Sequence, residues 1–336
     1  MNPSSLRISL VSLLNEISLD QVKDKLINGV PLTPEELNVR TLDLSNTDIT
    51  SLPPGLKVKG NLDLEGTKIT ALPDDLKVSG FLNIRNTEIT SLPGDLGARS
   101  INAAGSALAS LPDNFEVNGN LYLGKSKITA LPDNLKVGGD LDLWNTEITS
   151  LPTGLRVGGS LDLRSTEITS LPDDLEVGGS LNLWNTEITS LPAGLRVDGS
   201  LDLRSTKITE LPAGLRVDGD LNLWNTKITE LPAGLRVGGD LDLWNTEITK
   251  LPTGLRVGGS LNLRNSKITS LPDNLQVGGD LDLSTQITKL PTGLRVSGDL
   301  YLRDTPLAKK YSKDQIRKMI EDTGGKVGAI RGANRI

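Results

Sequence analysis

Four tryptophans, Trp144, Trp184, Trp224 and Trp244, are all the chain has, and each follows a leucine in the same short phrase, LWNT. At the same place in the intervening phrases stand Arg164, Arg204 and Arg264. If the leucine lies inward on a strand, these side chains point to water in one file. Indole and guanidinium so placed can stack on each other, or anchor a partner through cation–π contact and apolar burial. Two residues before each stands an Asp or Asn: Asp142, Asp162, Asn182, Asp202, Asn222, Asp242 and Asn262. This second file suits hydrogen bonding, and its asparagines relieve repulsion between stacked acids. Evenly spaced carboxylates lack the convergent loop that calcium prefers, so no metal and no cofactor is expected.

Other chemistry is excluded by composition. The chain has no Cys and no His, which removes thiolate and imidazole zinc sites, disulfides and the Ser-His and Cys-His pairs. No nucleophile–base pair remains, and an enzyme is not expected. The net charge of −6 argues against nucleic acid as a partner. No run is long and apolar enough for a membrane span. The opening MNPSSLRISLVSLLNEIS reads as an amphipathic helix rather than a cleaved leader, which leaves a cytoplasmic or a translocated protein open.

The files exist only if the chain repeats. Strand cores begin at Leu42, Leu62, Leu82, Ile101, Leu121 and so on to Leu300, with a step of 20 residues except at two places, where it is 19. The phrase is LxLxxTxIxxLPxxLxVxGx, about 14 times. LxL alternates, so Leu141 and Leu143 face inward while Asp142 and Trp144 face outward. LxV, as in Leu155–Val157, alternates likewise and predicts a shorter strand on the back. Thr146 and its equivalents are expected to bridge adjacent turns with their hydroxyls. One repeat cannot bury its own apolar face and needs neighbours above and below.

These residues resemble the leucine-rich repeat family over about 41–306. The short repeat with LPxxL looks most like bacterial members, including domains of translocated effectors; the family's buried asparagine ladder is a Thr/Ser ladder here. The resemblance implies an α/β, mostly β, solenoid with a parallel sheet on one face, a short-strand back and helical caps. The expected organisation is an N-terminal helical cap at 1–40, the solenoid at 41–306, and a C-terminal helical cap and tail at 307–336. Ser18–Gln21, Thr33–Glu36 and Ser312–Gln315 are helix-start signals. Ile316, Met319 and Ile320 share one helix face, and GAIRGANRI reads as a loose tail. Corner charges such as Lys207 with Glu210 are expected to compensate within a turn. Ala103 is expected to underfill its layer and kink the chain near 96–108.

Function follows from what points outward. The expectation is a monomeric, noncatalytic scaffold that holds a protein partner on the sheet face. Its site residues are Trp144, Arg164, Trp184, Arg204, Trp224, Trp244 and Arg264, with Asp142, Asp162, Asp202 and Asp242 beside them. Rival readings are a structural spacer whose ladders serve only the fold, and a carbohydrate- or ice-binding array.

Overall fold

Each turn of the chain but one supplies one strand to the front and one to the back, and the residues between them turn corners; between Phe81–Asn83 and Ser100–Asn102 no back strand forms, and the back ladder is broken there. A computed structural model describes residues 18–283 and 286–333; the opening amphipathic stretch before Ser18 lies outside them. Backbone contacts divide the chain into Met1–Ile128 and Thr129–Ile336.

In the first unit, parallel front strands at Leu42–Asp43, Leu62–Asp63, Phe81–Asn83, Ser100–Asn102 and Leu121–Tyr122 pair so that Leu42, Leu62, Leu82, Ile101 and Leu121 stand in one file. Back strands at Asn38–Val39, Lys57–Val58 and Lys77–Val78 pair in the same sense. Helix α1, Leu19–Ile27, lies against the first front strand. Ser18 caps it and Gly29, at φ 67°, turns the chain away from it. Thr33 and Glu36 do exchange capping bonds, at 2.8 and 3.4 Å. Yet Pro34–Leu37 remain a turn, because Asn38 and Val39 are taken up by the back ladder. Ala103 is fully buried in its layer.

The second unit repeats the plan from Leu141–Asp142 to Leu300–Tyr301 at the front and from Lys136–Val137 to Arg295–Val296 at the back. Both units are parallel-sheet β-solenoid. Leu141, Leu143, Ile148, Leu155 and Val157 are buried, as are their equivalents turn after turn. The alternation of LxL thus sets the core, and aliphatics fill it.

The hydroxyl ladder differs from expectation. Thr146 Oγ1 donates to Leu143 O at 2.7 Å, and Thr186 Oγ1 to Leu183 O at 2.8 Å, both within one turn. The same carbonyl receives the Thr146 backbone N–H at 3.2 Å, so the threonine closes the corner after its own strand. At Ser126 the carbonyl takes only the backbone N–H, and the buried Oγ has no partner. Bridging between turns falls instead to the Ser/Asp file just before the strand. Ser160 N donates to Asp140 Oδ1 at 2.8 Å, Ser180 N to Ser160 Oγ at 3.1 Å, and Asp240 N to Asp220 Oδ1 at 2.8 Å.

That file also orders the C-terminal segment. Asp299 Oδ1 accepts from Ala329 N at 3.0 Å and Oδ2 meets Arg331 Nε at 3.0 Å. Ile330–Arg331 accordingly pair with Leu300–Tyr301 as a further parallel strand, where a loose tail was expected. Two helices precede it. Helix α2, Pro306–Lys310, is capped by the fully buried Thr305, and α3, Lys313–Glu321, opens on the Ser312–Gln315 capping box. Ile316 and Ile320 of α3 are buried, but Met319 is exposed. The corner charges also pair differently: Lys207 with Glu187 and Lys267 with Glu247 at 2.5 Å, each across one step between turns.

Candidate partner-binding face

The outward file of Thr129–Ile336 is built by a local device that recurs in seven successive turns. Asp142 Oδ1 accepts the Trp144 backbone N–H at 2.9 Å, and Asn182 Oδ1 accepts that of Trp184 at 3.1 Å. The same bond holds Arg164, Arg204, Trp224, Trp244 and Arg264, at 2.9 to 3.1 Å. Each is an Asx turn that stops the strand and fixes the backbone under the outward side chain. The next residue, Asn145, Ser165, Asn185, Ser205, Asn225, Asn245 or Asn265, takes the left-handed conformation at φ 53 to 57°. Asparagine tolerates that region because its short amide bonds locally.

The predicted site residues come together in pairs. The Arg164 guanidinium lies over the Trp144 ring at 5.3 Å, and that of Arg204 over Trp184 at 5.1 Å. Trp224 and Trp244 stack with centroids 5.3 Å apart and planes 5° from parallel. Arg164 thus covers one indole of the file. Trp184 and Trp244 stay 37% and 41% exposed, which leaves substantial indole surface open to a partner, while Trp144 and Trp224 are half-buried.

The acids are partly committed to the guanidiniums. Arg204 Nε lies 2.9 Å from both carboxylate oxygens of Asp202, and Nη2 lies 2.5 Å from Oδ2, which raises the Arg204 pKa further. Arg164 Nε is 3.0 Å from Asp162 Oδ2, close enough for an ion pair, but poorly aligned, so that this nitrogen makes no hydrogen bond. Arg264 reaches Asp282 at 3.8 Å. Asp142 and Asp242 share their turns with a tryptophan instead. Burial pushes the Asp142 carboxyl up to about 6, against the pull of the Trp144 N–H and with a further push from Asp162. Burial raises Asp162 and Asp242 as well.

Beside the Trp/Arg file runs a file of side-chain amides that the sequence reading passed over. Asn265 Nδ2 donates to Asn245 Oδ1 at 2.5 Å, Asn245 Nδ2 to Asn225 Oδ1 at 2.8 Å, and Asn225 Nδ2 to Ser205 Oγ at 3.2 Å. With Lys227, Glu247 and Lys267 it floors a polar recess of about 510 Å³. The signal was the Asn or Ser directly after the outward residue in the seven turns from Asn145 to Asn265. Among the described residues no group of three or more acids could hold a metal ion, and no helix is long and apolar enough to cross a membrane.

A family model described as Leucine Rich Repeat matches residues 38–58, one turn from back strand to back strand. YopM, a leucine-rich effector protein from Yersinia pestis, aligns with a TM-score of 0.53 at 20% identity, over 78% of this chain and 76% of that one. The fold is that of a leucine-rich repeat protein. A chain of the Toll–Spatzle complex of Drosophila aligns at a TM-score of 0.51 and 17% identity over 89% of this chain; only 53% of that longer chain is matched. A leucine-rich repeat protein of Leptospira interrogans aligns at 0.49 and 21% identity, over 86% of this chain and 95% of that one. No curated protein matches the sequence. The chain thus resembles YopM in fold, that of a repeat scaffold.

Proposed function

We propose that the chain is a noncatalytic scaffold that binds a protein partner on the front face of Thr129–Ile336, through Trp144, Arg164, Trp184, Arg204, Trp224, Trp244 and Arg264. The observation that carries this reading is the exposure of Trp184 and Trp244 on backbone pinned by Asx turns. Large amphipathic side chains held in place lose little freedom on binding, so more of the contact energy is kept. Trp and Arg are also the residues that most often dominate interfaces. Asp142, Asp162, Asp202 and Asp242 then serve the face by holding its backbone and, at Asp162 and Asp202, its guanidiniums. YopM is an effector by name; an effector role here is part of the proposal, and the similarity of fold is its support.

The test is affinity recovery from candidate host and bacterial lysates with the intact chain and with a Trp184→Ser, Trp224→Ser variant. A partner held on this face is recovered by the first and lost by the second, while Arg156→Gln on the back retains it. Recovery of the same proteins by both would favour the spacer reading, in which the ladders serve only the fold.

A further inference from the structure

A strongly charged feature on the other side of Thr129–Ile336 is left unused by that face. Arg196, Arg216, Arg236 and Arg256 hold the same place on four successive back strands and are register partners, each to the next. All four are exposed. The core is closed by the valine beside each, and the strands by their backbone, so the guanidiniums add nothing to the fold. Neighbouring strands lie about 4.8 Å apart, and like charges so placed repel. Arg216 is relieved by Asp218 at 2.8 Å. Among the described residues Arg196, Arg236 and Arg256 make no ion pair. Outside these four turns the file is broken: Arg156 faces Glu176 at 3.5 Å, and Gln276 follows Arg256.

The corners tell the same story. Those leading into the four arginine strands read Ala193-Gly194, Ala213-Gly214, Ala233-Gly234 and Thr253-Gly254, whereas flanking corners read Asp173-Asp174 and Asp273-Asn274. Acid is absent from the corners where the arginines stack. The four glycines there, at φ 76 to 86°, leave open space where a side chain would stand. Between the first two of these turns the surface dips into a groove of about 470 Å³ lined by Arg196, Asp198, Arg216 and Asp218.

We propose that this stripe docks an extended acidic peptide segment of a partner protein, independently of the tryptophan face. Three steps between turns span about 14 Å, and four residues of extended chain span nearly the same, about 13–14 Å. Acids at every second position stand about 6.6–6.8 Å apart against about 4.8 Å between turns, so three acids span the four guanidiniums, whose paired N–H groups suit carboxylates and whose long side chains take up the difference. Nucleic acid fits less well. No aromatic side chain lies on these strands or corners to stack a base. A net charge of −6 repels a long polyanion beyond the stripe, while a short segment stays within about one screening length of it.

The experiment is fluorescence anisotropy with a labelled peptide of alternating Glu and Ser, and with a thymidine oligonucleotide of equal net charge. The intact chain is expected to bind the peptide, more weakly as salt is raised. An Arg196→Gln, Arg236→Gln, Arg256→Gln variant is expected to lose about tenfold or more, with Arg236→Gln alone intermediate. Trp184→Ser and Arg156→Gln should bind as the intact chain does, which separates this site from the front face. Circular dichroism melting checks that the exposed substitutions leave the fold intact. No peptide binding by the intact chain, equal binding by the triple variant, or tighter binding of the oligonucleotide would each overturn the proposal.

Discussion

Asp142 and Asn182 stand at one place two turns apart and perform one task with different charge. Each accepts the backbone N–H of the tryptophan that follows, at 2.9 and 3.1 Å. The carboxyl alone is penalised for its burial, which holds it at about 6 against an ordinary 3.8. A folded-state value above the unfolded one means that the folded chain binds the extra proton between these limits. Stability from this group is therefore present in acid and falls as pH rises from about 4 to about 6. Asp142→Asn is expected to raise the melting temperature at pH 7 and to flatten its pH dependence in that window, as thermal melts across pH would show. Thr186→Val tests the neighbouring corner. It removes the bond from Oγ1 to Leu183 O and is expected to cost about 1 kcal/mol by denaturant melt. Much of this was legible: Trp/Arg and Asp/Asn files are written in the repeat, and both face outward. The direction of the threonine bond was not, because letter spacing does not say whether a hydroxyl reaches its own turn or the next.

At the scale of the element, the two glycines of one turn do different work. Gly234 has φ 76° and open space around it, whereas an added Cβ at Gly239 would stand 2.9 Å from the Gly219 carbonyl carbon. Gly234→Asn is expected to be nearly neutral, since Asn134 and Asn274 hold the same corner at φ 56 and 57°. Gly239→Ala must push two turns apart and is expected to cost about 1–3 kcal/mol, measured as a shift in denaturant midpoint. The strands themselves were readable from LxL and LxV. The Thr33 signal was read as a helix because its capping bonds are real. What the signal lacks is any statement that Asn38 and Val39 will be claimed by a neighbouring turn. The C-terminal strand escaped for a similar reason: GAIR is undistinguished until Asp299 offers it two acceptor oxygens.

At the scale of the molecule, stability in such an array is a sum over turns and over their contacts with immediate neighbours. Deleting residues 201–220 removes one whole turn and brings Leu181 into register with Leu221. This variant is expected to fold, with a denaturant slope reduced in proportion to the surface lost. Deleting 201–210 instead places Ala213, Asp218, Asn225 and Lys227 where Leu203, Ile208, Leu215 and Val217 belong, and a lower denaturant midpoint than for the whole-turn deletion is expected. The amide file carries a consequence of its own. Asn245 gives a proton to Asn225 and takes one from Asn265, so the file runs one way. Any unit grafted above must arrive with something to give, and any grafted below needs only to receive, which is why a hydroxyl at Ser205 suffices to begin it. Asp at 245 would set two oxygens against each other and cut the run in half.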